Sequence, residues 1–312
     1  MSSPEATLWN LMRGALVTRA LAVAADLRVA DSLADGPRPV AELAGEADPD
    51  SLHRFLRALA SDGVFAEVSP GVFANTDLSE LLRREGWDDF AHLLGGAWHR
   101  AAGELDATGE ASFPRIHGSD FWAWLGENPV ERAAFDHAME QGKERRLDRL
   151  DSAGWRGDET VVDVGGGNGS LLLGLLARHP GLRGVVFDLP ETVRDEAALG
   201  ERIRFVPGDF FVEVPPGDVH VLCTILHDWD DERAAAILRT IRASARDDGR
   251  LVILDGVIPA GNEPHGAKWL DLLVLALFAG RERDEAQWHA LLAEGGFEPV
   301  RIEDGLIEAR CR

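Results

Sequence analysis

One stretch, VVDVGGGNGSLLLGLLARHPGLRGVVFDLP from Val161 to Pro190, limits the fold more than any other part of the chain. An apolar, β-branched run enters a glycine-dense turn. An apolar segment of helical length follows, and a second short run, Gly184 to Phe187, ends at Asp188. Strand, turn, helix and strand in that order form a parallel crossover, the unit of a sheet covered on both faces. Ligands of such sheets bind at the carboxyl ends of the strands. Gly165, Gly167 and Gly169 let the backbone bend sharply and approach a ligand with no Cβ in the way. Asp188 falls at the tip of the second strand, from where its carboxylate can accept both hydroxyls of a ribose.

The glycine spacing bears on which adenosine-bearing ligand fits. A dinucleotide loop reads G-x-G-x-x-G, with amide donors facing the pyrophosphate. Here the glycines read G-x-G-x-G, position 170 is Ser, and Asp163 precedes the loop, where a carboxylate repels phosphate. That acid suits a ligand with a cationic end and no phosphate. S-adenosylmethionine, with an amino group and a sulfonium, has that character. A nicotinamide site and a plain strand-to-helix turn are the alternatives.

At 312 residues the chain has room for two cores. Its 32 Lys and Arg against 54 Asp and Glu give a formal net charge of −22, which opposes nucleic acid and anionic membrane and favours a neutral or cationic small substrate. Cys223 and Cys311 offer neither a disulfide framework nor a metal spacing, and no metal is expected. The N-terminus lacks a basic region ahead of an apolar core, and the most apolar later run, Trp269 to Ala279, is too short to span a bilayer. A cytoplasmic location is the expectation.

Residues 8 to 34 carry apolar side chains at helical spacing, with Leu8, Leu11, Met12, Ala15 and Leu16 on one side, until Asp35-Gly36-Pro37. A short helix, a second helix from about Asp50 to Ser61, and a hairpin turning at Ser69-Pro70-Gly71 follow: the winged-helix order. The hairpin brings Glu67 and no base, so the module is expected to dimerise and roof a site rather than bind DNA. From Leu78 to about Leu150 the chain reads as helices broken near Gly109 to Ser119 and at Asn128-Pro129, rich in Trp87, Trp98, Phe113, Phe121, Trp122, Trp124 and Phe135, with Met139. Some of these are expected to wall a pocket for a flat ring. Pro190 starts a helix, and further strands end at Gly208-Asp209-Phe210, at Thr224 and at Asp255. Two helices and a terminal hairpin turning at Asp304-Gly305 complete the chain, the hairpin implying one antiparallel strand. Asp230-Asp231 reads as a helix N-cap, and His99, His117 and His265 carry no specific signal.

The glycine loop, FDLP at 187–190, GDFF at 208–211, LHDWDD at 226–231 and GRER at 280–283, in that order, resemble the S-adenosylmethionine-dependent small-molecule O-methyltransferases of the plant caffeate/flavonoid type and their bacterial relatives of aromatic polyketide biosynthesis. HDWDD is the most specific part. The resemblance implies an α/β fold: a Rossmann-like seven-stranded sheet with the last strand antiparallel, in a catalytic domain over 151–312, preceded by a helical winged-helix dimerisation domain over 1–150. It implies Gly165 and Gly167 beneath the methionine part, Asp188 on the ribose, Asp209 and Phe210 bordering the adenine, and Trp229 packed near it. Asp163, Leu189, Gly208, Cys223 and Asp228 are counted with the same cofactor site. His227 matches the family's general base, and Asp255 and Glu282 match two carboxylates that steer it. Asp255 is one methylene shorter than the plant glutamate, and Cys223 stands where plant enzymes have a lysine. Phe135 and Met139 match substrate-wall positions, to which Trp98 and Phe113 are added. A homodimer through the N-terminal helices, an aromatic small-molecule acceptor, and S-adenosylhomocysteine as product complete what the resemblance implies.

A histidine near pKa 6.5 and a phenol near 10 leave full deprotonation uphill by about 5 kcal/mol, which neighbouring carboxylates reduce. An alkyl alcohol is a far weaker acid, so phenols and enols are the expected acceptors. Methylation at nitrogen or carbon, a decarboxylase or hydroxylase on the same architecture, and a ligand-sensing winged-helix regulator are the competing readings.

Overall fold

The computed structural model describes residues 3–84, 86–190, 192 and 201–312. The helix expected from Pro190 falls largely outside them. The chain forms two compact units, 1–105 with 112–141, and 106–111 with 142–312.

In the first unit the expected opening helix is three segments, Pro4–Met12, Gly14–Asp26 and Val29–Ser32. It breaks at Arg13, whose guanidinium grips both oxygens of Asp62, and again at Arg28, which adopts a left-handed backbone with φ of 51°. Helices Val40–Leu43 and Pro49–Ser61 follow, then strands Phe65–Ser69 and Val72–Asn75, with Arg38–Pro39 pairing on the second of these. Leu52, Leu56 and Leu59 are buried at helical spacing and pack with Phe65 and Phe73 in one core. Leu8, Trp9, Leu11, Met12 and Leu16 are all more than half exposed, an apolar face with no cover inside the unit. The segment expected to be loop near 109–119 holds one short helix, Phe113–His117, and the break at Asn128-Pro129 separates Phe121–Glu127 from Pro129–Glu140.

The second unit is built on seven strands, labelled here in chain order: β1 Thr160–Val164, β2 Arg183–Asp188, β3 Ile203–Pro207, β4 Val219–Cys223, β5 Arg250–Leu254, β6 Phe297–Glu303 and β7 Leu306–Cys311. Their spatial order is β6-β7-β5-β4-β1-β2-β3. Neighbours from β5 to β3 are parallel, while β7 runs antiparallel to both β5 and β6. The hairpin that inserts β7 turns at Asp304 and Gly305, both with positive φ, which matches the right-handed twist of the strands it joins.

Side chains alternate across the sheet. Val162, Val164, Phe187, Leu222 and Ile253 face a core shared with helices Asp231–Ser244 and Glu285–Glu294. Val161, Val186, Val221 and Val252 face the other core, which takes in helix Ser170–Arg178 together with Leu147 and Leu150. That last pairing places the division of the chain at 141/142, not at the expected 150. Helix Lys143–Asp151 buries its two leucines on the sheet and belongs with the second unit.

Candidate active site

The strand order reverses at β1, which has β2 on one side and β4 on the other. Connections leaving β1 and β4 therefore diverge and leave a crevice at the carboxyl edge. The glycine loop and the turn Leu226–Trp229 border it.

The glycine loop is held by main chain. Gly165 donates to Phe187 O at 2.8 Å, and Gly167 donates to Asp188 Oδ2 at 2.8 Å. Gly165 has φ of +73°, and a Cβ there would come 2.5 Å from Ile225 Cδ1, so only glycine lets the two edges meet this closely. At Gly167 a Cβ would meet nothing within 4 Å, which leaves room for a ligand above it. Asp188 also accepts from Leu189 N at 2.7 Å, so each of its oxygens is aimed by one amide and keeps a lone pair for a hydroxyl. Leu189 itself is exposed.

Asp163 is buried, and its Oδ2 has no hydrogen-bond partner. Burial, with the charge of Asp188, pushes its carboxyl up to about 7. An acid left unpaired beside a glycine cradle is a receptor for a cation. The donor set therefore fits a ligand with a vicinal diol and a cationic end, which S-adenosylmethionine has.

Beyond β3, Gly208 lies flat on Phe187, where a Cβ would be 2.5 Å from the ring, and donates to Asp188 O at 3.0 Å. Asp209 Oδ1 accepts from Phe211 N at 2.8 Å and shapes the following turn. Phe210, Phe211 and Trp229 then form an aromatic corner, with ring centroids 5.9 Å apart for Phe210–Trp229 and 4.9 Å for Phe211–Trp229. Arg233 stacks over both Phe211 and Trp229, 4.7 and 4.3 Å from their centroids. Phe211 and Arg233 were missed in the sequence, although Phe211 is the last residue of GDFF. Cys223 ends β4, and burial pushes its thiol up to about 12, so it stays neutral where a lysine would be charged.

The turn from β4 carries His227. Its Nδ1 lies 2.7 Å from Glu282 Oε1, within a buried group of acids. Because a carboxylate only accepts, that bond fixes a proton on Nδ1, so Nε2 is the nitrogen that gains or loses the second proton. Glu282 is brought there by a two-residue parallel pairing of Arg283–Asp284 with Val257–Ile258, just past β5. Gly256 makes room for it, since a Cβ there would be 2.1 Å from Glu282 Oε2. Asp255 Oδ1 lies 3.8 Å from the same nitrogen, too far for a hydrogen bond, and Oδ2 instead accepts from Leu226 N at 3.2 Å. The short side chain thus acts on the imidazole through charge alone. Asp228 Oδ1 sits 3.4 Å from Nε2. Burial pulls the imidazole down, but the charges of Asp255 and Asp228 and the bond from Glu282 outweigh it and hold the ring up at about 10. Burial pushes the Asp228 and Asp255 carboxyls up to about 7. Helix Asp231–Ser244 starts immediately after, capped by Asp230 as expected.

Of the expected acceptor walls, Phe113 is fully buried, stacked on His117 at 4.1 Å and edge-on to Phe121 and Trp124. Trp98 is likewise buried among Phe90, Phe121 and Phe135. Both pack within the first unit, where neighbouring helices bring aromatic rings to meet them. Phe135 and Met139 are half-buried on helix Pro129–Glu140. His265 caps Ala267 N, and among the described residues no cluster of His, Cys, Asp or Glu could hold a metal ion. No described helix is long and apolar enough to cross a membrane.

A crevice at the strand reversal, bordered by a glycine cradle and a buried imidazole, defines a small-molecule transferase site on a methyltransferase-type sheet. Comparison with known families makes this specific: residues 98–298 match the O-methyltransferase domain and residues 9–85 match the O-methyltransferase dimerisation domain. The chain belongs to the S-adenosylmethionine-dependent O-methyltransferase family. It is 38% identical to phenazine O-methyltransferase PhzM of Lysobacter antibioticus, over 95% of this chain and 91% of that protein. The crystal structure of LaPhzM superposes with a TM-score of 0.91 at 36% identity, with all of both chains covered. The O-methyltransferase NcsB1 from neocarzinostatin biosynthesis, solved with S-adenosyl-L-homocysteine and 1,4-dihydroxy-2-naphthoic acid, superposes at 0.81 with 33% identity over 95% of this chain and 96% of that one.

Proposed function

We propose that this enzyme methylates a phenolic hydroxyl of an aromatic small molecule, with His227 as general base. The observation that carries the reading is the 2.7 Å bond from His227 Nδ1 to Glu282, which orients a buried imidazole and makes Nε2 the nitrogen that exchanges a proton once the ring is neutral. Bound S-adenosylmethionine supplies an electrophilic methyl group and a positive charge. Asp163 would receive the cationic end beside Gly165 and Gly167, Asp188 would hold the ribose, Asp209, Phe210, Cys223 and Trp229 would border the adenine, and Leu189, Gly208 and Asp228 belong to the same cofactor site. Phe135 and Met139 contact the acceptor ring.

Positioning is the larger contribution, worth roughly 7–11 kcal/mol when reacting groups are aligned. The base then has to be both strong and neutral. A ring held up near 10 matches a phenol in strength, yet it is mostly protonated at neutral pH. A cationic group bound near the imidazole would lower its affinity for a proton toward the working range. The exposed apolar face of Leu8, Trp9, Leu11, Met12 and Leu16 supports a homodimer through the first helices.

The test is methyl transfer from labelled S-adenosylmethionine to a panel of phenols that includes 1,4-dihydroxy-2-naphthoic acid, with mass spectrometry locating the methyl group. His227→Ala is expected to lower turnover about 10²–10⁴-fold, with S-adenosylhomocysteine binding by calorimetry near wild type. Unchanged turnover would remove the base assignment, and a methyl group found on nitrogen or carbon would remove the phenolic one.

A further inference from the structure

Arg283, the second arginine of GRER, is wholly buried. Its Nη1 donates to Leu226 O and its Nη2 to Trp229 O, each at 2.8 Å, so one guanidinium grips both ends of the turn that carries His227. Nε donates to Asp231 Oδ1 at 2.9 Å, and the group rests over Trp288, 5.5 Å from its ring centre. The adjoining main chain completes the mould. Arg281 N donates to His227 O at 2.8 Å, and a Cβ on Gly280 would come 2.1 Å from that same oxygen. The carbonyls of Leu226, His227 and Trp229 are therefore all held from residues 280–283.

Burying a guanidinium is costly unless its donors are matched, and its one carboxylate partner, Asp231, is half exposed. The acceptors it takes instead are main-chain carbonyls: the two that bracket the imidazole, with Arg281 O more distant at 3.3 Å from Nη1. Only a planar fork can span both of them; an ammonium at the same place is a point charge. We propose that Arg283 is a positioning residue for methyl transfer: it fixes the backbone on both sides of His227 and so holds the imidazole and the Trp229 ring in one frame. This rests on the reading of His227 as base.

The test uses the full chain carrying Arg283→Lys, Arg283→Ala or Asp231→Asn. Turnover is normalised to donor sites counted by S-adenosylhomocysteine titration, and amide exchange across 226–229 is followed by mass spectrometry. Arg283→Lys is expected to lower kcat about 100-fold, the effect of a displacement near 1 Å, and to speed exchange in that segment. Millimolar guanidinium added to Arg283→Ala is expected to restore both. Asp231→Asn shifts both in the same direction by less. Folded Arg283→Lys with wild-type kcat and wild-type exchange overturns the proposal. Should neither Arg283 variant fold, unchanged kcat and exchange in Asp231→Asn overturn it equally. If His227→Ala keeps its turnover, the base reading fails on its own, while faster exchange at 226–229 in Arg283→Lys still supports the clamp.

Discussion

The two edges of the crevice are built in opposite ways. The glycine loop is held largely by backbone, with Asn168 Oδ1 accepting from Ser170 N and Asp188 accepting from an amide 21 residues away. The turn Leu226–Trp229 is held mainly by distant side chains, helped by Arg281 N, and the bond that orients His227 spans 55 residues. A cradle made of main chain presents donors and space, which suits recognition of a fixed ligand. A mould made of buried charges sets the basicity and direction of one ring, which suits moving a proton. The difference teaches that binding and chemistry on this sheet are separable, and each can be attacked without the other.

The sharpest break pairs His227→Ala with Asp188→Ala. The first is expected to leave donor binding intact while turnover falls by the factor given above. The second removes an acceptor for the loop amide and, on the proposed reading, for the ribose, and hydrogen bonds to a charged group are each worth about 1.5–3 kcal/mol. Its dissociation constant for S-adenosylhomocysteine is expected to rise at least about tenfold, while kcat at saturating donor changes far less. Calorimetry and turnover on the same preparations check both, and equal losses of binding in the two variants would erase the distinction between the edges.

How much of this was legible beforehand follows the same division. Gly165, Gly167 and Asp188 are close in sequence, so their spacing alone points to the loop, to the ribose acceptor and to the crossover. The terminal turn at Asp304-Gly305 likewise announced the antiparallel β7. Glu282 and Asp255 reached the site only through family likeness, since nothing local says that a pairing of Arg283–Asp284 with Val257–Ile258 carries them to the end of β4. Arg283 was invisible for the same reason: a guanidinium that binds carbonyls leaves no pattern in side-chain types. Trp98 and Phe113 are ambiguous for a different reason. An aromatic run at helical spacing reads identically whether its rings face a ligand or neighbouring rings, and here Trp98 packs against Phe90 and Phe113 against Phe121.

A smaller effect tests the electrostatics of the turn. Glu282 raises the imidazole by hydrogen bond and by charge. Removing the charge in Glu282→Gln lowers the affinity of the ring for its proton, so the neutral base appears at lower pH. The rising limb of log kcat against pH is expected to move toward acid by roughly 1–2 units, the equivalent of about 1.5–3 kcal/mol, while the plateau falls as orientation is lost. A rising limb that stays in place would mean that the ring being titrated is not His227.

The smallest expected effect concerns stability, and it lies on the binding edge. Asp163 is pushed up from its ordinary value to about 7 by burial and by Asp188. Between about pH 4 and pH 7 the folded chain keeps a proton there that the unfolded chain has released. This contribution is therefore full below pH 4 and lost as pH rises through 7. Asp163→Asn removes the liability: without donor, its melting temperature is expected to depend less on pH between 5 and 8 and to exceed that of the wild type at pH 8, by about 2–4 °C for each kcal/mol recovered. The same change deletes the carboxylate proposed to meet the ligand's cationic end, so S-adenosylhomocysteine is expected to bind more weakly and add less to the melting temperature. A variant that gains stability and keeps its affinity would show that the acid serves neither the loop nor the ligand. Loss of affinity alongside the gain identifies the buried carboxylate as strain retained for binding.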